Sequence, residues 1–219
     1  MMRIDQHVHT SRYSPDSLLD PEELLEQARA AGLDGVVITE HDILWAEEEL
    51  EELRRRAPGL VVLAGVEVSA REGHFLVYGL KDLKDLEPGI PLADLLEVVG
   101  RRGAAIVAAH PFRWDQDFEA IAREYGVRLD ALELVSNNMT LATRERTEQV
   151  WRRLGCGRTG SSDAHEREVV GCYFTEYEQP IRTLEDLVRG LKSRRFRPWH
   201  REGVNLTCGP VDCERHGDG

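Results

Sequence analysis

Nowhere among its 219 residues does the chain hold an unbroken apolar stretch of the length a membrane helix or secretory leader needs. We therefore expect a cytoplasmic protein with no membrane partner. Positive charge is also scarce: 28 Lys and Arg stand against 40 Asp and Glu, a net charge of -12. That balance argues against the broad basic face through which long nucleic acids release counterions, while a small anionic substrate held by metal ions stays compatible. Cysteines number four, Cys156, Cys172, Cys208 and Cys213, and show no regular framework, so reduced thiols are expected. Cys208 and Cys213 with His216 are irregularly spaced in a Gly-rich, charged end. They read as part of a frayed tail over 200–219 rather than as a metal motif.

What is present is an alternation of strand and helix signals. Asp20 before Pro21, Glu22 and Glu23 is an N-cap with proline and acids in the first turn, and Leu24, Leu25 and Ala28 carry that helix towards Gly32. A β-branched run over 36–39 is too short for a helix and suits a strand covered on both faces. Further helices are expected over 45–56, from Pro91 to near Gly103, and over 117–125, 141–154 and 183–191, the last with Thr183 and Asp186 as a capping box. Strands are expected over 60–67, 104–109 and 131–135. With 41% hydrophobic residues the chain can bury one full core. Repeated strand-helix units imply a parallel sheet, either open and doubly wound or closed.

The polar residues choose between these. Six of the eight histidines stand beside short apolar strand signals: His7 and His9, His41, His74, His110 and His165. Glu67 ends another such run. In a barrel every strand's C-terminal end opens on one mouth, whereas an open sheet gathers ligands mainly at one switch point. Stations spread along most of the chain favour a single-domain α/β fold over 1–199, a distorted, TIM-like (β/α)7 barrel one unit short of the usual eight.

His7 and His9 are two apart on a strand and so share a face. A lone buried histidine is more often a hydrogen-bonded core residue, but a pair with an acid at Asp5 or Asp16 points to metal. Asp163 and His165 repeat the spacing, although Asp163 can also be read as a turn cap. Glu67 would be costly to bury without a partner, and its two oxygens can bridge two ions; the alternative is an ion pair with Arg71. His41 follows Thr39-Glu40, with Glu40 and Asp42 placed to orient histidines. His74 starts a strand instead of ending one. His110 precedes Pro111, which biases its backbone to an extended form. Arg113 comes soon after and can offer its donor fork to a phosphate. Imidazoles mixed with carboxylates suit zinc, manganese or iron.

Together, His7-Val8-His9, Thr39-Glu40-His41-Asp42, Gly65-Val66-Glu67, His110-Pro111 and Ser162-Asp163-Ala164-His165 resemble the PHP family, named for polymerase and histidinol phosphatase. The resemblance implies a seven-stranded β/α barrel with three divalent metal ions. His7, His9, Glu67 and Asp163 would hold one, Glu67, His74 and His110 a second, and Asp16, His41 and His165 a third. Two features depart from the common pattern. Glu40 stands where an aspartate is usual, and a longer approach leads to Asp16, whose Ser-Pro-Asp-Ser setting also reads as a turn and helix cap.

The function implied is hydrolysis of a phosphate ester on a small metabolite or nucleotide, by hydroxide bridging the metals, with Glu67, Asp163 and Arg113 in catalytic positions. Arg113, Arg12 and Asn137 are the candidate substrate contacts, and Asn138, Tyr13, Trp45 and Trp114 are either pocket lining or packing. The basic run Lys192, Arg194, Arg195 and Arg197 is either a further phosphate contact or a solvated helix end. Rival readings are cleavage of short oligonucleotides, metal-dependent amide hydrolysis, or a scaffold without metal.

Overall fold

A computed structural model describes residues 1–201 of the chain. The expected tail motif, Cys208, Cys213 and His216, lies outside the described residues.

Among the described residues, ten strands fall into two five-stranded sheets. In one, β1 (Met2–Val8), β2 (Gly35–Ile38) and β3 (Val61–Ala64) run parallel, and β9 (Tyr173–Tyr177) and β10 (Phe196–His200) extend it antiparallel beyond β1, in the order β10-β9-β1-β2-β3. The second has the order β4-β5-β6-β7-β8, built from β4 (Val66–Ala70), β5 (Gly73–Tyr78), β6 (Ala105–Ala108), β7 (Ala131–Ser136) and β8 (Gly157–Ser161). Helices α1 (Pro21–Ala30), α2 (Glu47–Arg56), α3 (Leu92–Arg102), α4 (Phe118–Tyr125), α5 (Leu141–Leu154) and α6 (Leu184–Ser193) form where the apolar periodicity places them. The cap signals hold as well. Asp20 accepts from the Glu22 amide at 2.8 Å, and Thr183 and Asp186 complete the capping box of α6.

Alternation along the strands divides the apolar side chains between cores. On β6, Ile106 and Ala108 pack with Leu95, Leu96 and Phe118, whereas Ala105 and Val107 join Ile4, Val37, Leu76, Tyr78 and Tyr177 in another cluster. This is the period-2 pattern of strands buried on both faces.

Three expectations about the strands need correction. The run over 60–67 is not one strand but breaks at Gly65, where β3 leaves one sheet and β4 enters the other. A Cβ at Gly65 would lie 2.6 Å from the Tyr78 ring and 2.9 Å from the Val77 carbonyl, so only glycine lets the chain pass so close. The sheets are not wholly parallel either: only two residues separate β4 from β5, a connection that forces an antiparallel hairpin. Finally, β9 and β10 add two strands where no strand was expected.

The two sheets meet along two seams near the C-terminal ends of the parallel strands. At one, the amides of Gly65 and Glu67 donate to Ile38 and Glu40 (2.8 and 3.0 Å); at the other, those of His9 and Asp163 donate to Ala164 and His7 (2.9 and 2.8 Å). Among the described residues no continuous ladder closes the sheets into one barrel. No helix among them is long and apolar enough to cross a membrane.

Candidate metal centre

The seams gather the polar stations. His7 comes from β1 and His9 from just past its end, His41 from the exit of β2, Glu67 from β4, His110 from the exit of β6, and Asp163 and His165 from the segment after β8. His74 lies near the start of β5. Because β5 runs antiparallel, its first residues lie at the end where its parallel neighbours finish. That is why the one histidine that opens a strand shares the site with those at strand exits.

Glu67 is fully buried at the middle of this group. Its Oε1 lies 3.0 Å from His74 Nδ1 and 3.0 Å from His110 Nε2. Its Oε2 lies 3.0 Å from His41 Nδ1, 3.2 Å from His9 Nε2 and 3.4 Å from His7 Nε2. The expected alternative, an ion pair with Arg71, is not what holds it. Asp163 Oδ1 lies 3.2 Å from His7 Nε2 and 3.3 Å from His9 Nε2. Asp16 Oδ2 lies 3.3 Å from His41 Nε2 and 3.4 Å from His165 Nε2, which places it beside these two histidines. Asp5, the other acid considered, does not. Its carboxylate accepts from the amides of Ser162 and Gly171 at 2.9 Å each, and the β1–β2 register shifts between Asp5 and Val8.

Two features test whether this donor set fits metal ions. Glu67 Oε2 is buried without a well-formed hydrogen bond although three imidazole nitrogens surround it. His7 Nε2 and His9 Nε2 face each other at 3.0 Å. Atoms so arranged converge on shared points, as ligands of a cation do, instead of satisfying one another. Four overlapping triads have ligand atoms within 4.8 Å of one another: His7, His9 and Asp163; His7, Glu67 and His110; His41, Glu67 and His74; and His9, His41 and His165. They can hold borderline divalent metals such as zinc, manganese or iron.

Electrostatics point the same way. Burial alone would depress the two innermost imidazoles, but Asp163, Glu133 and Glu67 hold His7 well above the usual histidine range, and the facing carboxylates of Asp163 and Glu67 lift His9 to about 9. Burial would raise the carboxylates; facing histidines instead hold Glu67 and Asp163 well below the usual range. Ionised carboxylates thus face imidazoles that hold protons, the positions that cations would take over. His165 is pushed down by burial and by the neighbouring His9.

Other side chains orient these ligands. Glu40 is buried and accepts from Ser14 Oγ (2.5 Å), Thr10 Oγ1 (2.5 Å), the Thr10 amide (3.1 Å) and Trp45 Nε1 (2.9 Å). Ser14 in turn lies 3.3 Å from His9 Nδ1. Asp42 accepts from the Ser69 amide at 2.8 Å. His110 is not extended as the proline after it suggested. Its φ is 25°, and its amide donates to buried Glu133 at 2.7 Å, a contact that turns the backbone. Glu133 was missed in the sequence. The available signal was a lone charge in the otherwise apolar run Ala131-Leu132-Glu133-Leu134-Val135.

The substrate candidates separate. Arg113 reaches the site, with Nη1 3.3 Å from Asp163 Oδ2 and its guanidinium 3.9 Å over the ring of Trp114. Trp114 is 66% exposed while its ring packs near His74 and His110. Asn138, next to the expected Asn137, donates to Asp163 Oδ2 at 2.7 Å. Arg12 turns instead to Glu49 of α2 at 2.7 Å, and Tyr13 donates to the same carboxylate. Trp45 is buried beside Tyr13, bonded to Glu40. Arg197 of β10 pairs with Glu176 of β9, as part of a strand rather than of a helix end.

Solved structures share this architecture. A two-domain Bacteroides vulgatus protein containing a predicted PHP-like metal-dependent phosphoesterase matches with a TM-score of 0.70 and 22% identity, over 92% of this chain but only 65% of its own length. PsfC from Pseudomonas syringae matches at 0.68 with 24% identity, over 92% of this chain and 93% of PsfC. An amidohydrolase from Chromobacterium violaceum, with bound sulfate and no metal, matches at 0.62 with 20% identity, over 90% of this chain and 97% of its own. In sequence, the uncharacterized Methanocaldococcus jannaschii protein MJ1587 is 29% identical over 121 residues, which cover 51% of this chain and 68% of that protein. The PHP domain profile matches residues 5–151 and the PHP-associated profile residues 143–196. With the domain profile spanning more than half its length, the chain belongs to the PHP domain family.

Proposed function

We propose that the chain is a metal-dependent hydrolase of small phosphate monoesters, and that its two sheets act as a distorted, incompletely closed barrel around one mouth. The observation that carries this reading is the placement of Arg113 and Asn138. Both donate to Asp163 Oδ2, at the edge of a group of six histidines and three carboxylates whose centre, His7, His9, Glu67 and Asp163, is buried. A cationic fork and an amide beside concentrated metal ligands suit the non-bridging oxygens of a phosphoryl group. The sulfate held by the Chromobacterium neighbour is an oxyanion of the same shape.

In this reading the residues of the overlapping triads, together with Asp16, would hold three divalent ions, and Glu67 belongs to two of the triads. Bound there, the ions would draw a nucleophile from water near neutral pH and offset phosphoryl charge. The chain's own side chains do the rest. Glu67 and Asp163 fix the spacing of the ligand sets through their paired oxygens. Arg113 and Asn138 orient the phosphoryl group, and the exposed face of Trp114 receives the remainder of a small substrate. The net charge of -12 favours such a substrate over long nucleic acid.

The test is release of inorganic phosphate by protein purified with manganese, across p-nitrophenyl phosphate, sugar phosphates, histidinol phosphate, nucleotides and short oligonucleotides. Phosphate release from monoesters is expected. Turnover of amides alone would replace this reading with amide hydrolysis. Protein that carries and takes up no manganese, iron or zinc on elemental analysis would leave only a scaffold.

A further inference from the structure

Glu133 lies on β7, is fully buried, and belongs to none of the four ligand triads. Three donors from three other parts of the fold converge on its two oxygens. His7 Nδ1, on β1, lies 3.0 Å from Oε1; the hydroxyl of Ser161, on β8, donates to the same oxygen; and the amide of His110, past β6, donates to Oε2 at 2.7 Å. An ionised carboxylate only accepts hydrogen bonds. Facing Oε1, His7 must therefore carry a proton on Nδ1, which leaves Nε2 as the nitrogen with a free lone pair. Nε2 is the atom 3.0 Å from His9 Nε2, 3.2 Å from Asp163 Oδ1 and 3.4 Å from Glu67 Oε2.

We propose that Glu133 is a positioning residue that fixes the tautomer and ring orientation of His7, and through its bond to the His110 amide also fixes the turn that aims His110 at Glu67. It thereby sets the geometry of two ligands at once. The inference rests on the metal reading of the site.

A glutamine at this position has the same shape but only one accepting oxygen, and neither placement of its amide serves all three donors. With its oxygen towards His110, its NH2 group faces His7 Nδ1. His7 then accepts there and presents Nε2–H to the metal centre. With its oxygen towards His7, the NH2 group opposes the His110 amide. Both arrangements disturb a ligand, whereas a carboxylate acting only as a tie between strands would affect stability and leave ligand chemistry alone.

The experiment compares the parent and Glu133→Gln by competitive zinc titration at fixed pH, with long-range 15N–1H spectra of the zinc-loaded proteins. The parent is expected to show His7 coordinated through Nε2 with a low-field Nδ1–H signal. E133Q is expected to lose that signal and to bind zinc about 10–100-fold more weakly, with an unchanged far-ultraviolet circular dichroism spectrum. Equal affinity in E133Q, or a retained Nδ1–H signal, overturns the inference while the metal reading stands. A parent that binds no zinc overturns both. Should E133Q fail to fold, the parent spectrum still decides, because His7 coordinated through Nδ1 is incompatible with the proposed role.

Discussion

His7 Nε2 and His9 Nε2 stand 3.0 Å apart at the exit of β1, each also within 3.4 Å of Glu67 and Asp163 oxygens. Two neutral imidazoles cannot both aim lone pairs at each other at this distance without something positive between them. Protons or metal ions can serve, and the two compete. With His7 held well above the usual range and His9 at about 9, the site carries protons at pH 7.5 when chelator has stripped it. Ligation needs neutral imidazoles. Adding zinc or manganese to stripped protein at pH 7.5 should therefore release at least one proton per chain, measured by calorimetry in buffers of different ionisation enthalpy. Uptake without proton release would show that the two imidazoles are not ligands.

The same shift makes stability depend on pH. His9 has a folded value near 9 against an ordinary 6.5, so the folded chain binds the extra proton between those limits. Its stabilising contribution is fully present below pH 6.5 and is lost as pH rises through 9, roughly 3 kcal/mol in all. Burial lifts Asp5 only to about 6, so its titration is largely complete before this window opens. Because His7, also held above its ordinary range, loses stabilisation in the same direction, chelator-treated protein should lose at least roughly 6–12 °C in melting temperature between pH 6.5 and 9.5. Metal-loaded protein, which has no such proton to lose, should change far less. Equal slopes for the two forms would count against the assignment.

Replacing a ligand should separate function from folding. His7→Ala and Asp163→Ala each remove contacts shared by two triads or by the Arg113 and Asn138 donors. Since residues that only orient ligands cost 10–100-fold, these variants should lose at least about 100-fold in phosphatase activity and show reduced metal content. Their circular dichroism should remain that of the parent. Activity near the parental level in either variant would remove that residue from the centre.

Much of this centre could be read along the chain. His7, His9, His41, His110, Asp163 and His165 lie in short polar motifs at strand exits, where local spacing and strand geometry suffice to place them together. What could not be read depends on contacts remote in sequence. Glu133 lies mid-strand and gains its meaning from His7, 126 residues away. That Asn138 reaches Asp163 depends on the path of a loop. The antiparallel course of β5 comes from a tight hairpin inside a region that otherwise reads as repeated strand-helix units, and β9 pairs with β1 across most of the chain's length, with β10 added on the far side of β9. Arg12, an attractive phosphate ligand by composition, is drawn to Glu49 by a helix packed beside it.

Arg113→Ala and Asn138→Ala should act on substrate rather than on metal. A charge-assisted hydrogen bond contributes about 1.5–3 kcal/mol, so losing Arg113 should lower kcat/KM for a phosphomonoester by about 10–100-fold. Asn138→Ala should cost less, because a neutral amide is the weaker donor to a phosphoryl oxygen. Metal content should stay at the parental level in both. A fall in metal content that accounts for the lost activity would make these residues supports of Asp163 instead of substrate contacts.

Glu40 offers a contrasting case, in which orientation and stability are joined. The Ser14 hydroxyl has one proton and gives it to Glu40, so towards His9 Nδ1 its oxygen accepts. The chain from His9 through Ser14 to Glu40 then leaves His9 Nε2 free for a ligand role, as Glu133 does for His7. Glu40 also accepts from Thr10 and Trp45, all buried. Glu40→Ala leaves several buried donors without partners, at about 1–3 kcal/mol each, and should destabilise the fold by at least about 3 kcal/mol in urea denaturation. Ser14→Ala removes the link to His9 and one of the donors to Glu40, which keeps its bonds to Thr10 and Trp45. It should leave the urea midpoint within about 1 kcal/mol of the parent yet weaken zinc binding by about 10-fold or more. If Ser14→Ala binds zinc as tightly as the parent, the hydroxyl does not orient His9, and Glu40 serves the fold alone.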